Sequence, residues 1–348
     1  MTAISQALST TSNGSVAAAE IALIIPVRNR WGYTQVILAQ LTEQIGEAQI
    51  GGDSRIQIIV VDDDSTDGTS DYIQQGFPAV HLLRGDGDLW WTGAIAQGMD
   101  YAVQQLSVRY VVWLNDDIVL ADDFIEQLIV ECDRIGDQKI MTGGIIRAEA
   151  YPDWLVFGGV VASRPINDIR QFDQQPILPV HTLNGNIAVM PTQLVADVGL
   201  PDTRRFRHYG GDFEYVCRAK AAGYKVCLSS LLQATTDYSS SDVKRYMPLW
   251  IQWSLSPTLV EKWSVLKKLT NRKSPHNVEH MVNSIYRNAA SVPTWQYTAF
   301  YCKKLVKIVG SELIPRSIRQ QRIQRYLADQ RVPPEVSGTL LNQASRRI

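Results

Sequence analysis

The sequence predicts an α/β fold in which a mostly parallel, doubly wound sheet is followed by a helical C-terminal extension. Short, continuous apolar runs alternate with helix-type patterns over the first 135 residues, and this alternation is typical of parallel sheets covered by helices. After about residue 238 the strand patterns stop and amphipathic helical patterns continue. We therefore expect a flexible tail over residues 1–19, an α/β domain over 20–238 and a helical region over 239–348.

The first part of the α/β domain contains four strand–helix units. Strands are expected at residues 21–27, 56–62, 80–83 and 110–116, and helices from about Thr34, after the turn DSTDGT, from Thr92 to Leu106 and from Asp122 to Arg134. Thr92 is expected to cap its helix, because a threonine hydroxyl can accept a free N–H of the first turn. Further strands are expected at 139–146, 154–162 and 182–190, followed by a helix at 211–223 and a last strand at 224–228.

Composition narrows the functional class. The formal net charge of −1 gives no basic field for nucleic acid. Four scattered cysteines without a metal-type spacing are typical of a reduced, cytoplasmic protein. The first 19 residues lack the basic start and apolar core of a signal peptide. The segment from residue 300 onward carries ten Lys and Arg residues against few acids, which suits either an anionic membrane surface or a solvated helix face.

Carboxylates gather where two of the predicted strands end. Asp62–Asp64 follow the second strand and Asn115–Asp117 follow the fourth, at the sheet edge where open parallel sheets bind ligands. A bound divalent cation would remove the repulsion between such clusters, and their oxygen ligands suit Mg²⁺ or Mn²⁺ shared with substrate phosphates. Each cluster alone is equally explained by turn chemistry, because Asp commonly ends strands and caps helices.

The stretch GDGDLWWTGA (85–94) has the strand–turn–helix context of a dinucleotide-binding loop but fails on detail. Its third glycine position is Trp90, which is too bulky for close helix–strand packing, and the turn follows the third strand rather than the first. Indoles stack on sugars and bases but also fill cores. One of Trp90 and Trp91 is therefore expected to line a site and the other to pack inward.

Four segments resemble, in the correct order, the motifs of the GT-A-fold glycosyltransferases of family 2. They are IALIIPVRNR, IIVVDDDSTDGTSDYI, YVVWLNDDIVLADDFIEQL and the block from LNGNIAVM to AAGYKV, which together span about residues 20–235. The resemblance implies an inverting, metal-dependent transferase with a UDP- or dTDP-type sugar donor and a glycan or polyprenyl-linked acceptor. GDGDLWW also resembles a subset that makes cell-surface polysaccharides, including rhamnosyl- and galactofuranosyltransferases.

The resemblance also implies roles for individual residues. Asp212 would be the catalytic base and Asp117 would coordinate Mg²⁺ or Mn²⁺. The donor would be bound by Pro26, Val27, Arg28, Asp62, Asp63, Asp88, Trp91, Gly93, Asn115 and Asp116. Two positions depart from the family pattern: Asn115 stands at the first position of the D-x-D-type motif, and Gly211 stands where many relatives have Glu. Glu214 remains a rival base.

The sequence leaves two alternative functions open. A sugar-phosphate nucleotidyltransferase needs a G-G-x-G-T-type loop after the first strand, where this chain has PVRNRWG. A nucleotide-sugar-binding scaffold would explain Asn115 and Gly211 but not the retention of Asp117 and Asp212. The helical region mixes Trp, Leu and Lys in MPLWIQWSLSPTLVEKWSVLKKL. That composition allows a peripheral membrane contact, packing on the α/β domain or a homodimer interface.

Overall fold

The computed structural model describes residues 20–48, 55–162, 164–289 and 291–345. The predicted tail over residues 1–19 lies outside the described residues. The strands are β1 Ile21–Val27, β2 Ile56–Asp62, β3 His81–Arg84, β4 Tyr110–Leu114, β5 Val119–Leu120, β6 Ile140–Ala148, β7 Tyr151–Phe157, β8 Val160–Val161, β9 Arg164–Pro165, β10 Ile177–Pro179, β11 Ile187–Pro191 and β12 Lys225–Thr236. The helices are α1 Trp31–Glu47, α2 Thr69–Gly76, α3 Trp90–Tyr101, α4 Phe124–Ile135, α5 Gln193–Val198, α6 Gly211–Ala221, α7 Ser240–Tyr246, α8 Leu249–Ser254, α9 Leu259–Lys267, α10 Val278–Ile285, α11 Thr294–Gly310, α12 Arg316–Asp329 and α13 Pro334–Ser345.

One large sheet runs in the order β10-β12-β6-β11-β4-β1-β2-β3. Strands β1 to β4 are mutually parallel, as predicted from their continuous apolar runs. Strand β11 runs antiparallel to both β4 and β6, because the chain reaches it through a long excursion rather than a crossover helix. The sheet is therefore parallel at one end and mixed at the other, with the ends of β1, β2 and β4 side by side.

The sheet separates two apolar cores. Leu23 and Ile25 of β1 pack on one face with α1 and α4. The alternate residues Ala22 and Ile24 pack on the other face with α3 and α6, as the two-residue period of a strand requires. A side chain at Gly98 would collide with Ile24, so glycine lets α3 lie directly on β1. This close approach brings the start of α3 to the edge where β1 and β4 end.

Several predicted boundaries were wrong. Helix α3 begins at Trp90, and Thr92 is a buried residue of its first turn rather than its cap. The capping oxygens come from the distant Asp63, which accepts the N–H of Trp90 (2.9 Å). The strand predicted at 182–190 begins only at Ile187, because the preceding residues form a loop. The strand predicted at 154–162 ends at Phe157, and the last strand extends to Thr236.

The helical C-terminal region packs against the α/β domain. Trp154 of β7 joins an apolar cluster with residues of α7, α8, α12 and α13, and its indole N–H donates to the carbonyl of Gln330 (3.3 Å). A second cluster holds α8 to α11 together. Among the described residues, no helix is long and apolar enough to span a bilayer.

Candidate active site

A cleft of about 330 Å³ opens where β1 and β4 end. It is bounded by the loop before β11, the start of α6 and the end of α7. Its lining residues include Pro26, Arg30, Trp91, Asn115, Asp116, Asp117, Asn184, Gly185, Asn186, His208, Tyr209, Asp212, Arg245 and Tyr246. The cleft thus collects the second of the two predicted acidic clusters, the predicted base and one of the paired tryptophans.

Asp212 lies in the first turn of α6 with both carboxylate oxygens occupied by backbone donors. Its Oδ2 accepts the N–H of Gly185 (3.0 Å) and its Oδ1 accepts the N–H of Phe213 (2.8 Å). Burial raises the pKa of Asp212, and these two N–H donors partly oppose the rise. A carboxylate with a raised pKa is a stronger proton acceptor than an exposed one, and it is held in one orientation by the backbone.

Trp91 lines the cleft, whereas Trp90 is not among the lining residues. The indole N–H of Trp91 donates to Oδ1 of Asn115 (2.8 Å), and its ring packs edge-on against Trp113, with centroids 5.6 Å apart. The ring also lies against the backbone of Gly185, where a side chain would collide with it. Substrate contact by Trp91 stays a prediction.

Trp90 lies outside the cleft lining and contacts Asp88 and His208. Its indole N–H donates to Asp88 (2.9 Å), which also accepts from the guanidinium of Arg207 (2.7 Å). The bonds from Trp90 and Arg207 hold the pKa of Asp88 below its usual range. The ring of Trp90 meets that of His208 edge-on.

Close packing explains the glycine at position 211. A side chain there would collide with Thr92 of α3, so the glutamate found in many relatives would not fit. The rival base Glu214 is buried and pairs with Arg218 (2.7 Å). Glu214 does not line the cleft, which leaves Asp212 as the carboxylate at the start of α6 that faces it.

Arg30 balances the acidic pair that follows β4. Its guanidinium contacts Asp116 (3.4 Å) and Asp117 (2.9 Å). Asp116 is buried and accepts from the hydroxyl of Thr34 (3.2 Å), and burial raises its pKa to about 7. Asp117 is 41% exposed and faces the cleft.

The residues present fit a divalent cation that is shared with a substrate. Within the described part of the chain, no group of three His, Cys, Asp or Glu side chains could hold a metal by itself. Asn115 Oδ1 already accepts the indole N–H of Trp91. Asp116 is buried, and its carboxylate contacts the guanidinium of Arg30. Asp117 therefore supplies the accessible carboxylate. One carboxylate completed by phosphate oxygens and water is a usual Mg²⁺ arrangement.

The first acidic cluster lies outside the cleft lining. Asp62 organises the turn into α2, and Asp63 organises the loop before α3. Asp62 is buried and accepts from the N–H of Ser65 (3.0 Å) and the hydroxyl of Ser70. Asp63 is also buried and accepts three N–H groups, from Gly87 (2.8 Å), Leu89 (3.1 Å) and Trp90 (2.9 Å).

Other predicted donor residues surround that loop. Arg28 bridges Asp63 (3.3 Å) and the carbonyl of Gly87. Val27 is buried in the core of the sheet, and Gly93 lies inside α3 beside Leu89. The cleft lining therefore contains Pro26, Trp91, Asn115 and Asp116 of the predicted donor set. It does not contain Val27, Arg28, Asp62, Asp63, Asp88 or Gly93.

Sequence reasoning missed several residues of the cleft. Arg30 sits four residues after Pro26 in PVRNR, but its partners are distant in the chain. Arg245 and Tyr246 come from α7, in the region without a recognised motif, and Arg245 donates to the hydroxyl of Tyr209 (2.9 Å).

Burial and the charges of Arg245 and Lys273 lower the pKa of His208 to about 4, so its imidazole is neutral at neutral pH.

Comparisons with known proteins match this architecture. Residues 22–174 match the model of the family described as glycosyl transferase family 2. No curated protein is significantly similar to the chain. Among solved structures, GalNAc-T7 with UDP, GalNAc and Mn²⁺ is 12% identical, with a TM-score of 0.50 over 83% of this chain and 55% of its own. The chain thus spans about half the length of that protein.

Two further structures are similar. A mannosyltransferase from Pyrobaculum calidifontis, in complex with GDP-Man and Mn²⁺, is 15% identical with a TM-score of 0.49, over 94% of this chain and 86% of its own. TarS residues 1–349 from S. aureus are 13% identical with a TM-score of 0.45, over 84% of this chain and 79% of theirs.

The fold and the matched segment point to the same class of protein. The curled, largely parallel sheet with its flanking helices is the GT-A fold of glycosyltransferases. Over residues 22–174 the chain is similar to glycosyl transferase family 2.

Asp63→Asn tests whether that carboxylate builds the loop. An amide has one acceptor oxygen and would turn N–H groups toward the donors of Gly87, Leu89 and Trp90. We expect the free energy of unfolding to fall by roughly 2 kcal/mol, with faster hydrogen exchange over residues 85–92, measured by denaturation and mass spectrometry. Asp86→Asn, which alters an exposed residue of the same loop, is the control. Unchanged stability and exchange in Asp63→Asn would show that the loop does not depend on it.

Proposed function

We propose that the protein is an inverting glycosyltransferase that moves a sugar from a nucleotide-diphosphate donor to an acceptor hydroxyl. The observation that carries the proposal is the shared cleft, in which Asp212, with its raised pKa, and the Asp116–Asp117 pair line one cavity. A proton acceptor is thereby available in the same cavity as a place for a charged leaving group, and glycosyl transfer needs both.

Asp212 takes the proton from the acceptor hydroxyl. As that oxygen bonds to the anomeric carbon, the bond from this carbon to the donor diphosphate breaks, and the diphosphate leaves with the electron pair. The N–H groups of Gly185 and Phe213 hold the carboxylate in place during the attack. A single displacement of this kind inverts the anomeric configuration.

Charge on the leaving diphosphate is balanced at the other side of the cleft. Arg30 provides a guanidinium beside Asp117, and Arg245 brings a second cationic side chain to the lining. Asp117, with Asp116 behind it, would hold Mg²⁺ or Mn²⁺. The ion, when bound, stabilises negative charge on the diphosphate.

The donor is bound directly by Pro26, Trp91, Asn115 and Asp116, which line the cleft. The resemblance also assigns donor contacts to Val27, Arg28, Asp62, Asp63, Asp88 and Gly93, which lie outside the cleft lining. The donor is a UDP- or dTDP-sugar and the acceptor is a glycan or polyprenyl-linked hydroxyl in cell-surface polysaccharide synthesis. These identities rest on the motif resemblance of GDGDLWW and the neighbouring segments.

Asp212→Asn removes the proton acceptor while keeping the size of the side chain. We expect transfer to fall by on the order of 10²–10⁴-fold, with donor affinity unchanged, as measured by product formation and calorimetry. In the wild type, kcat should fall as the pH decreases through the raised pKa of Asp212, because only the carboxylate accepts a proton. This acid limb should lie above the usual Asp range.

Two variants make that result specific. Asp122→Asn changes an exposed carboxylate outside the cleft and should leave transfer unchanged. Glu214→Gln tests the rival base separately, because this variant removes the Glu214 carboxylate and leaves that of Asp212 in the cleft. The assignment is wrong if Asp212→Asn transfers sugar at the wild-type rate while Glu214→Gln is folded and inactive.

Asp117→Ala tests whether Asp117 holds a metal ion, and the readout is donor binding rather than turnover. We expect the affinity for the donor in the presence of Mn²⁺ to fall by at least roughly tenfold, measured by calorimetric titration. Asp137→Ala, which changes a fully exposed carboxylate, is the control. If wild-type protein binds the donor equally well with and without a chelator, the metal site does not exist.

A further inference from the structure

The helical C-terminal region exposes large apolar side chains around one ion-pair cluster. Glu312, between α11 and α12, pairs with Lys262 of α9 and with Arg319 of α12, and it accepts from the indole of Trp253 of α8. These contacts join α8, α9 and α12 to the segment between α11 and α12. The surface that we name the Glu312 patch consists of Leu259, Val260, Trp263, Val309, Leu313 and Ile318.

Four of the six members of the Glu312 patch are mostly exposed to solvent. Leu259 is 85% exposed, Val260 81%, Trp263 61% and Leu313 90%. Side chains as open to solvent as Leu259 and Leu313 project from the protein rather than line a groove. An exposed apolar cluster of this kind marks a contact surface, and its projecting shape suits a soft, deformable partner.

The spacing of apolar residues makes α9 an amphipathic helix. Leu259, Trp263 and Lys267 are four residues apart and fall along one stripe of the helix. On the opposite side, Val265 is buried in the C-terminal core. The stripe therefore faces outward with apolar side chains at its start and a lysine at its end.

The two segments that carry most of the patch are rich in positive charge. The segments 259–268 and 303–322 contain nine Lys and Arg residues and two Glu residues. Glu312 pairs with two of the nine, Lys262 and Arg319. The protein as a whole carries a formal net charge of only −1, so the positive charge is concentrated here. Apolar side chains with a tryptophan, set among Lys and Arg, match the interface of an anionic bilayer.

We propose that the Glu312 patch docks the protein peripherally on an anionic lipid surface. Leu259, Val260, Trp263 and Leu313 insert at the boundary between headgroups and acyl chains, and the exposed Lys and Arg side chains of the same segments face the anionic headgroups. The proposal does not depend on the proposed reaction, because it rests on the exposed helices alone.

Vesicle binding tests the patch directly. Wild-type protein is expected to sediment with vesicles containing phosphatidylglycerol and to remain unbound with vesicles of phosphatidylcholine alone. The triple variant Leu259→Ser, Trp263→Ser, Leu313→Ser should bind at least roughly tenfold more weakly. The altered side chains are exposed, so circular dichroism and thermal melting should match the wild type.

Val130→Ser is the matched control, since it removes a 51% exposed apolar side chain on α4 and should leave vesicle binding unchanged. Light scattering with chromatography measures the oligomeric state of the same proteins. Three results overturn the proposal: folded wild-type protein that ignores anionic vesicles, a triple variant that binds them as well as wild type, or a wild-type dimer that separates in the triple variant without any vesicle binding.

Discussion

The contact between the Trp91 indole and the Gly185 backbone fixes the geometry of the cleft. Trp91 occupies the space where a side chain at 185 would lie, and the N–H of Gly185 holds the carboxylate of Asp212. The same indole donates to Asn115, directly before the acidic pair that faces Arg30. One aromatic residue thus stands between the proton acceptor and the charged side of the cleft, and a shift of its ring would move both.

Trp91 is itself positioned by a carboxylate that lies outside the cleft lining. Asp63, at the end of β2, accepts three backbone N–H groups of the loop that leads into α3. These bonds hold Trp90 at a positive φ of 58°, a conformation that costs a bulky residue roughly 1–3 kcal/mol. The turn at Trp90 sends its ring toward Asp88 and His208 and leaves the next residue, Trp91, facing the cleft. The two tryptophans therefore have different neighbours because of backbone geometry.

Much of the parallel half of the fold follows from local patterns. The continuous apolar runs of β1, β2 and β4 predicted these strands closely, because strands buried on both faces admit few polar residues. The positions of Asp117 and Asp212 at the cleft followed from motif order and from the rule that open sheets bind ligands at their carboxyl edge. Arg30, Arg245 and the cap from Asp63 could not be predicted in this way, since each depends on contacts between segments distant in the chain.

The central claim is that this cleft carries out glycosyl transfer. A panel of nucleotide-sugars, incubated with the protein and Mg²⁺ or Mn²⁺ and analysed by mass spectrometry, tests it most directly. We expect that at least one donor is transferred to an added acceptor or slowly hydrolysed, with release of the nucleoside diphosphate. Clear binding of a donor without hydrolysis or transfer of any member of the panel would contradict it and would indicate a nucleotide-sugar-binding protein instead.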